Sequence, residues 1–216
     1  MTPLAVTSVT NVLLASVVFF LAGRMSRVPK ERFSAAWYFT GVFLLLGAAA
    51  LIGAVDHGFF EPAGLPRYVI RCADWIALAG VTFCLLMTTA MQFFAPRLQR
   101  ILLVAGVIQL VADTAAVLLV DSFLDVILNY APVVLLLLAM NLIGLKDGAG
   151  SLQMIAGLLI LSAASALQTA GFDALSPLDH NGVYHVLSIG GVILLAFGGT
   201  KLKTKAATAP SELKRE

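Results

Sequence analysis

Along this chain, long apolar stretches alternate with short polar punctuation. The stretches run Leu4 to Ala22, Ser34 to Val55, Tyr68 to Phe93, Ile101 to Val120, Val126 to Leu145, Leu152 to Gly171 and Gly182 to Thr200. Each is near the roughly 20 residues that a helix needs to cross a bilayer. Barrel strands would be shorter and would alternate apolar with polar positions, so the sustained pattern predicts helices. The expected fold class is an all-α integral membrane protein, a single seven-helix transmembrane bundle over residues 1–200. Residues 201–216, rich in Lys with Ala206, Ala207, Pro210 and Ser211, read as a short basic disordered tail.

Charge placement gives this bundle a direction. Arg24, Arg27, Lys30, Arg32, Arg97, Arg100, Lys146, Lys201, Lys203, Lys205, Lys214 and Arg215 fall on one side of the seven-span path, and Arg67 and Arg71 on the other. Basic residues favour the cytoplasmic side, which predicts the C-terminus inside and the N-terminus outside. The tail lysines then anchor the last helix against anionic headgroups. The opposite side collects Asp56, Glu61, Asp121, Asp125, Asp173 and Asp179.

Composition agrees with the pattern: 60% of the 216 residues are hydrophobic and 12% charged. No basic stripe interleaved with aromatics is present, which argues against nucleic acid as a partner. Cys72 and Cys84 share one apolar run, roughly 18 Å apart at helical rise, too far for a disulfide. The first run lacks a preceding cation and a small-residue cleavage site, and reads as a retained helix. Small residues, Gly47 to Ala49 with Gly53, and Gly190, Gly191, Gly198 and Gly199, mark close helix packing.

Several polar residues inside the runs need partners. Asp74 lies about two turns into the third helix, where an ionised carboxylate costs about 2.5 to 3.5 kcal/mol. An ion pair with Arg71, three residues earlier on the same face, is one reading; a hydrogen bond to a metal ligand or a metal-bound water is the other. Asp113 has Gln109 four residues earlier as its nearest donor. Asn129 and Tyr130 stand near Pro132 to meet backbone groups that a kink would free.

The chain has three histidines, His57, His180 and His185, and all fall on the non-cytoplasmic side at the mouths of helices. Three imidazoles at one depth suggest a metal site. Zinc takes three protein ligands and an open water position in catalytic centres. His180 and His185 are five residues apart, so on one helix they point about 140° away from each other. Either His180 sits at the helix cap and curls back, or Asn181, four residues before His185, takes the ligand-facing position and His180 turns away.

These residues resemble the CREST superfamily of seven-helix membrane proteins, which includes alkaline ceramidases and the progestin and adipoQ receptors. That superfamily has a histidine ending the second helix with a serine four residues before it, an aspartate early in the third, and His-x-x-x-His opening the seventh. His57, Asp74 and His185 match those positions. Gly53 stands at the serine position, and the seventh-helix pair is one residue longer. The resemblance implies zinc held by His57, His180 and His185, with Asp74 orienting the metal-bound water and taking its proton.

The function expected on these grounds is a zinc-dependent hydrolase of a lipid amide or ester, with a ceramide-like membrane lipid as substrate. The alternative is a non-catalytic receptor or lipid-binding protein with a structural metal, which Gly53 favours. A transporter would want a polar path from face to face, and the cytoplasmic halves of the helices offer almost none. The expected location is the plasma (inner) membrane, with the site facing away from the cytoplasm.

Overall fold

The computed structural model describes residues 2–27 and 30–205. Residues 206–216, most of the expected tail, lie outside the described residues. Seven helices account for nearly everything else: α1 Pro3–Ser26, α2 Ala35–Val55, α3 Tyr68–Phe93, α4 Pro96–Leu119, α5 Phe123–Ile143, α6 Leu152–Thr169 and α7 His180–Gly199. All are long and apolar enough to cross a membrane, and no strand occurs among the described residues. A π-helical turn, Asp56–Phe60, continues α2 without a break.

Local chemistry sets the ends. Thr2, Ser34, Ser151 and Asp179 each accept a hydrogen bond from a backbone N–H in the first turn of α1, α2, α6 and α7. These caps satisfy donors that a helix start otherwise leaves bare. Pro3 and Pro96 open α1 and α4, where a missing N–H costs nothing. Gly171 follows α6 with φ of 65°, a left-handed conformation that lets the chain leave the helix.

Six helices close a ring in the order α1, α2, α3, α5, α6, α7 and back to α1, while α4 lies outside it against α3 and α5. The core runs down the ring interior through Val18, Phe39, Phe43, Met87, Leu137, Leu158 and Val192. Outward faces keep large apolar side chains exposed, such as Val104, Ile108 and Val111 on α4 and Leu128 and Leu135 on α5. Such a belt suits lipid.

Gly157 and Gly191 bring the backbones of α6 and α7 close together. A Cβ on Gly157 would stand 2.8 Å from the Gly191 carbonyl oxygen. A backbone oxygen cannot swing aside, so Gly157→Ala has to push α6 off α7. We expect it to lose about 1 to 3 kcal/mol, read as a lower unfolding temperature in detergent. A Cβ on neighbouring Gly190 meets nothing within 4 Å, so Gly190→Ala leaves that temperature unchanged or raises it.

Candidate functional site

The polar end of the ring begins with α1, whose hydroxyls reach α7 and α2. Thr7 Oγ1 donates to the Asp179 carboxylate, 2.7 and 2.8 Å from its oxygens, and Asp179 also caps α7 through Gly182 N at 2.7 Å. Ser8 Oγ donates to the Ala54 carbonyl at 2.8 Å. Thr10 Oγ1 donates to the Thr7 carbonyl at 2.9 Å and lies 3.0 Å from Nδ1 of the buried His185. With the hydroxyl proton committed to Thr7, the contact with His185 needs the proton on Nδ1, which leaves Nε2 with its lone pair bare.

His57 is held in a similar way. Its Nδ1 stands 2.7 Å from Glu61 Oε2, four residues on. A carboxylate only accepts, so Nδ1 carries the hydrogen there too. His57 sits in the π-helical turn, where the extra residue widens the helix, a distortion that often occurs at functional sites.

Arg67 locks this turn from the start of α3. Its Nε and Nη2 donate to the two Asp56 oxygens at 2.7 and 2.5 Å, and Nη1 lies 2.8 Å from Glu61 Oε1. These bonds hold the guanidinium firmly charged, the hydrogen bond to Asp56 contributing most to raising its pKa. The fork geometry matches guanidinium to carboxylate, and Asp56 is only 5% exposed.

Arg71 does not pair with Asp74. It reaches instead to Asp121, in the α4–α5 connection, and its Nε is buried with no acceptor. Among the described residues the Asp74 carboxylate makes no hydrogen bond or ion pair. Arg71 and Asp74 both line the same space.

That space is a cavity of about 240 Å³ at the polar end, with Asn11, His57, Arg67, Arg71, Asp74, Asn181, Tyr184 and His185 in its wall. Leu14, Leu46, Leu78, Phe123, Gln168 and Tyr184 are shared with a second space of about 130 Å³ deeper in the ring. The deeper arm is walled chiefly by aliphatic side chains, among them Val42, Leu85, Val134, Leu158 and Leu195. Ser162 of α6 and Phe123 of α5 line the arm or its mouth and are exposed.

Of the four residues singled out in the sequence, His57, Asp74 and His185 share this cavity and His180 does not. The His180 backbone N and ring Nδ1 lie 2.6 and 3.0 Å from Asp173 Oδ1, which keeps the ring at the surface. Asn181 takes the inward position and accepts from Gln168 Nε2 at 2.8 Å. The second of the two α7 geometries left open by the spacing is the one adopted.

The fit to a metal is poor in this arrangement. Asp56 and Glu61 are engaged by Arg67, and two guanidiniums stand in the wall. Among the described residues, no three His, Cys, Asp or Glu side chains come together closely enough to hold an ion. Gly53, at the position expected to carry serine, is covered by α1, where Asn11 Nδ2 stands 3.1 Å from the place of a Cβ.

The sequence reading missed Asn11, Gln168 and Tyr184 as site residues and saw no role for Thr7 and Thr10. A signal existed: Thr7, Ser8, Thr10 and Asn11 form a polar patch at helical spacing inside an apolar run. Asp113 also differs from expectation. Asn129 Nδ2 donates to it at 2.9 Å, and Gln109 Nε2 donates to Asn129 Oδ1 at 2.5 Å. Asn129 thus links α4 to α5 rather than serving the backbone near Pro132.

Removing Arg67 would leave Asp56 buried and unpaired. Arg67→Ala is expected to cost about 3 kcal/mol in a detergent unfolding titration. Asp56→Asn combined with Arg67→Gln should recover most of that loss, because the charge left unpaired is then that of the part-exposed Glu61 and not of the buried Asp56; equal losses in both variants would show that the pair does not hold the turn.

No curated protein and no solved structure matches the chain. A family model described as "Family of unknown function (DUF6962)" matches residues 6–204, and the chain belongs to that family.

Proposed function

We propose that this is a multi-pass membrane protein that binds a lipid with one acyl chain drawn into the ring. One observation carries the reading: a polar space and a deeper, chiefly aliphatic one adjoin each other and share six wall residues. Ligand sites combine apolar walls with a few convergent polar groups in this way. The head has to offer a donor to Asp74, which suits a small neutral group such as an amide. The exposed Ser162 and Phe123 put the chain's way in at membrane depth. By the distribution of basic residues the cavity faces away from the cytoplasm, in a plasma (inner) membrane.

Trp37 and Trp75 are the only tryptophans, and Trp75 is in the cavity wall. In a Trp37→Phe background, an N-acyl amphiphile brominated along its chain should quench Trp75 fluorescence saturably. Ser165→Phe, which fills the deep arm, should abolish that quenching, whereas Leu159→Phe on the outer face of α6 should leave it intact. Quenching that is unsaturable, or indifferent to Ser165→Phe, would remove the proposal.

A zinc-dependent hydrolase of a lipid amide or ester is the second reading. It rests on His57, His185 and Asp74 sharing one cavity, with both imidazoles presenting a bare Nε2, and on the resemblance to the CREST superfamily. It requires these groups to draw together around an ion. The two readings part on metal content. The hydrolase carries about one zinc per chain by elemental analysis, lost on changing His57 or His185 to Ala, and releases fatty acid from ceramide. The binding protein takes up the brominated amphiphile equally well before and after chelation.

A further inference from the structure

The other end of the bundle has a second built feature, independent of the cavity. After α7 a turn at Lys201 leads into residues 202–205, which carry no regular secondary structure. Lys201, Lys203 and Lys205 all wall one cleft of about 450 Å³, facing the last turn of α3 and the turn after α5. The segment is pinned in place: Lys205 N donates to the Met91 carbonyl at 2.8 Å, and Ala35 N donates to Thr204 Oγ1 at 3.0 Å. The expected disorder of the tail therefore does not reach these residues, because their backbone and Thr204 serve the ends of α3 and α2.

Three lysines thus contribute to the wall of one cleft. Asp147 is the one carboxylate in the cleft wall among the described residues, which leaves the cleft with a net positive charge. Gln92 forms part of the same wall and is 7% exposed. Its Nε2 donates to the Ala149 carbonyl at 2.7 Å, while its Oε1 is buried and meets no donor. Buried acceptors without a donor are few in folded proteins. A ligand that fits has to be anionic and has to bring a hydroxyl.

We propose that this cleft binds a phosphate that carries a neighbouring hydroxyl, the phosphate resting on Lys201, Lys203 and Lys205 and the hydroxyl donating to Gln92 Oε1. Phe93, Met140 and Ile143 supply apolar wall beside it. A phosphoglycerol lipid head and a free glycerol phosphate share this chemistry.

The test uses the full chain in nanodiscs of phosphatidylcholine, with and without phosphatidylglycerol, and native mass spectrometry to read retained lipid. Soluble glycerol phosphate is titrated separately into the protein in uncharged detergent. Lys201→Gln, Lys203→Gln and Lys205→Gln together should weaken binding about a hundredfold, and each alone about fivefold. Arg24→Gln, Arg27→Gln and Arg32→Gln remove the same charge from the same end outside the cleft and should change retention little. Gln92→Leu should erase preference for phosphatidylglycerol over phosphatidic acid while leaving the phosphate bound.

Retention of lipid but not of glycerol phosphate, lost in the lysine variants, identifies a lipid head as the source; binding of glycerol phosphate with the same dependence identifies the soluble ester. Equal loss in the arginine and lysine triples would mean diffuse surface charge and overturn the site. Binding of neither probe would overturn it too, and an unchanged lipid preference in Gln92→Leu would overturn the role of the hydroxyl.

Discussion

The polar end of this bundle depends on α1 presenting hydroxyls to α7. In a medium without water, a side-chain donor or acceptor has to find its partner inside the protein, and a bond made there is stronger than at a surface. Thr7 meets Asp179, Thr10 meets His185 and Ser8 meets the carbonyl of Ala54, so one face of α1 ties both α7 and α2. The Arg67 clamp on Asp56 and Glu61 fixes the remaining side. Together these bonds let a polar cavity persist among apolar helices, because the groups that would otherwise collapse onto each other are already engaged.

What remains unengaged gives the cavity its character. Asp74 and the Arg71 Nε are left without a partner among the described residues, and both residues line the same space. The carboxylates Asp56 and Glu61 are answered by a guanidinium, which leaves Asp74 as the unpaired carboxylate of the wall among the described residues.

Much of the fold was legible in the sequence because apolar length alone determines which segments can cross a bilayer. Tyr68–Phe93 was legible to the residue, and the other helices differ from their apolar runs only at the ends, where caps decide. Pro96 starts α4 five residues before the run read from Ile101, since proline at the first position costs a helix nothing. The site was legible in part. His57, Asp74 and His185 do gather, but the partner of Arg71 is Asp121, fifty residues away, and no local spacing encodes that choice. The π-helical turn at Asp56–Phe60 likewise depends on Arg67 and Ser8 arriving from other elements. His180 was decided by Asp173, an acceptor in the connection before α7 rather than in any helix.

The ring closes through α7 meeting α1, the last span against the first. Ser8 finds its acceptor in α2, the next helix made, whereas the Asp179 carboxylate that Thr7 meets and the His185 ring that Thr10 meets come about 170 residues later. A chain cut before α7 would therefore leave the ring open beside α1, with Thr7 lacking its acceptor and Thr10 its imidazole.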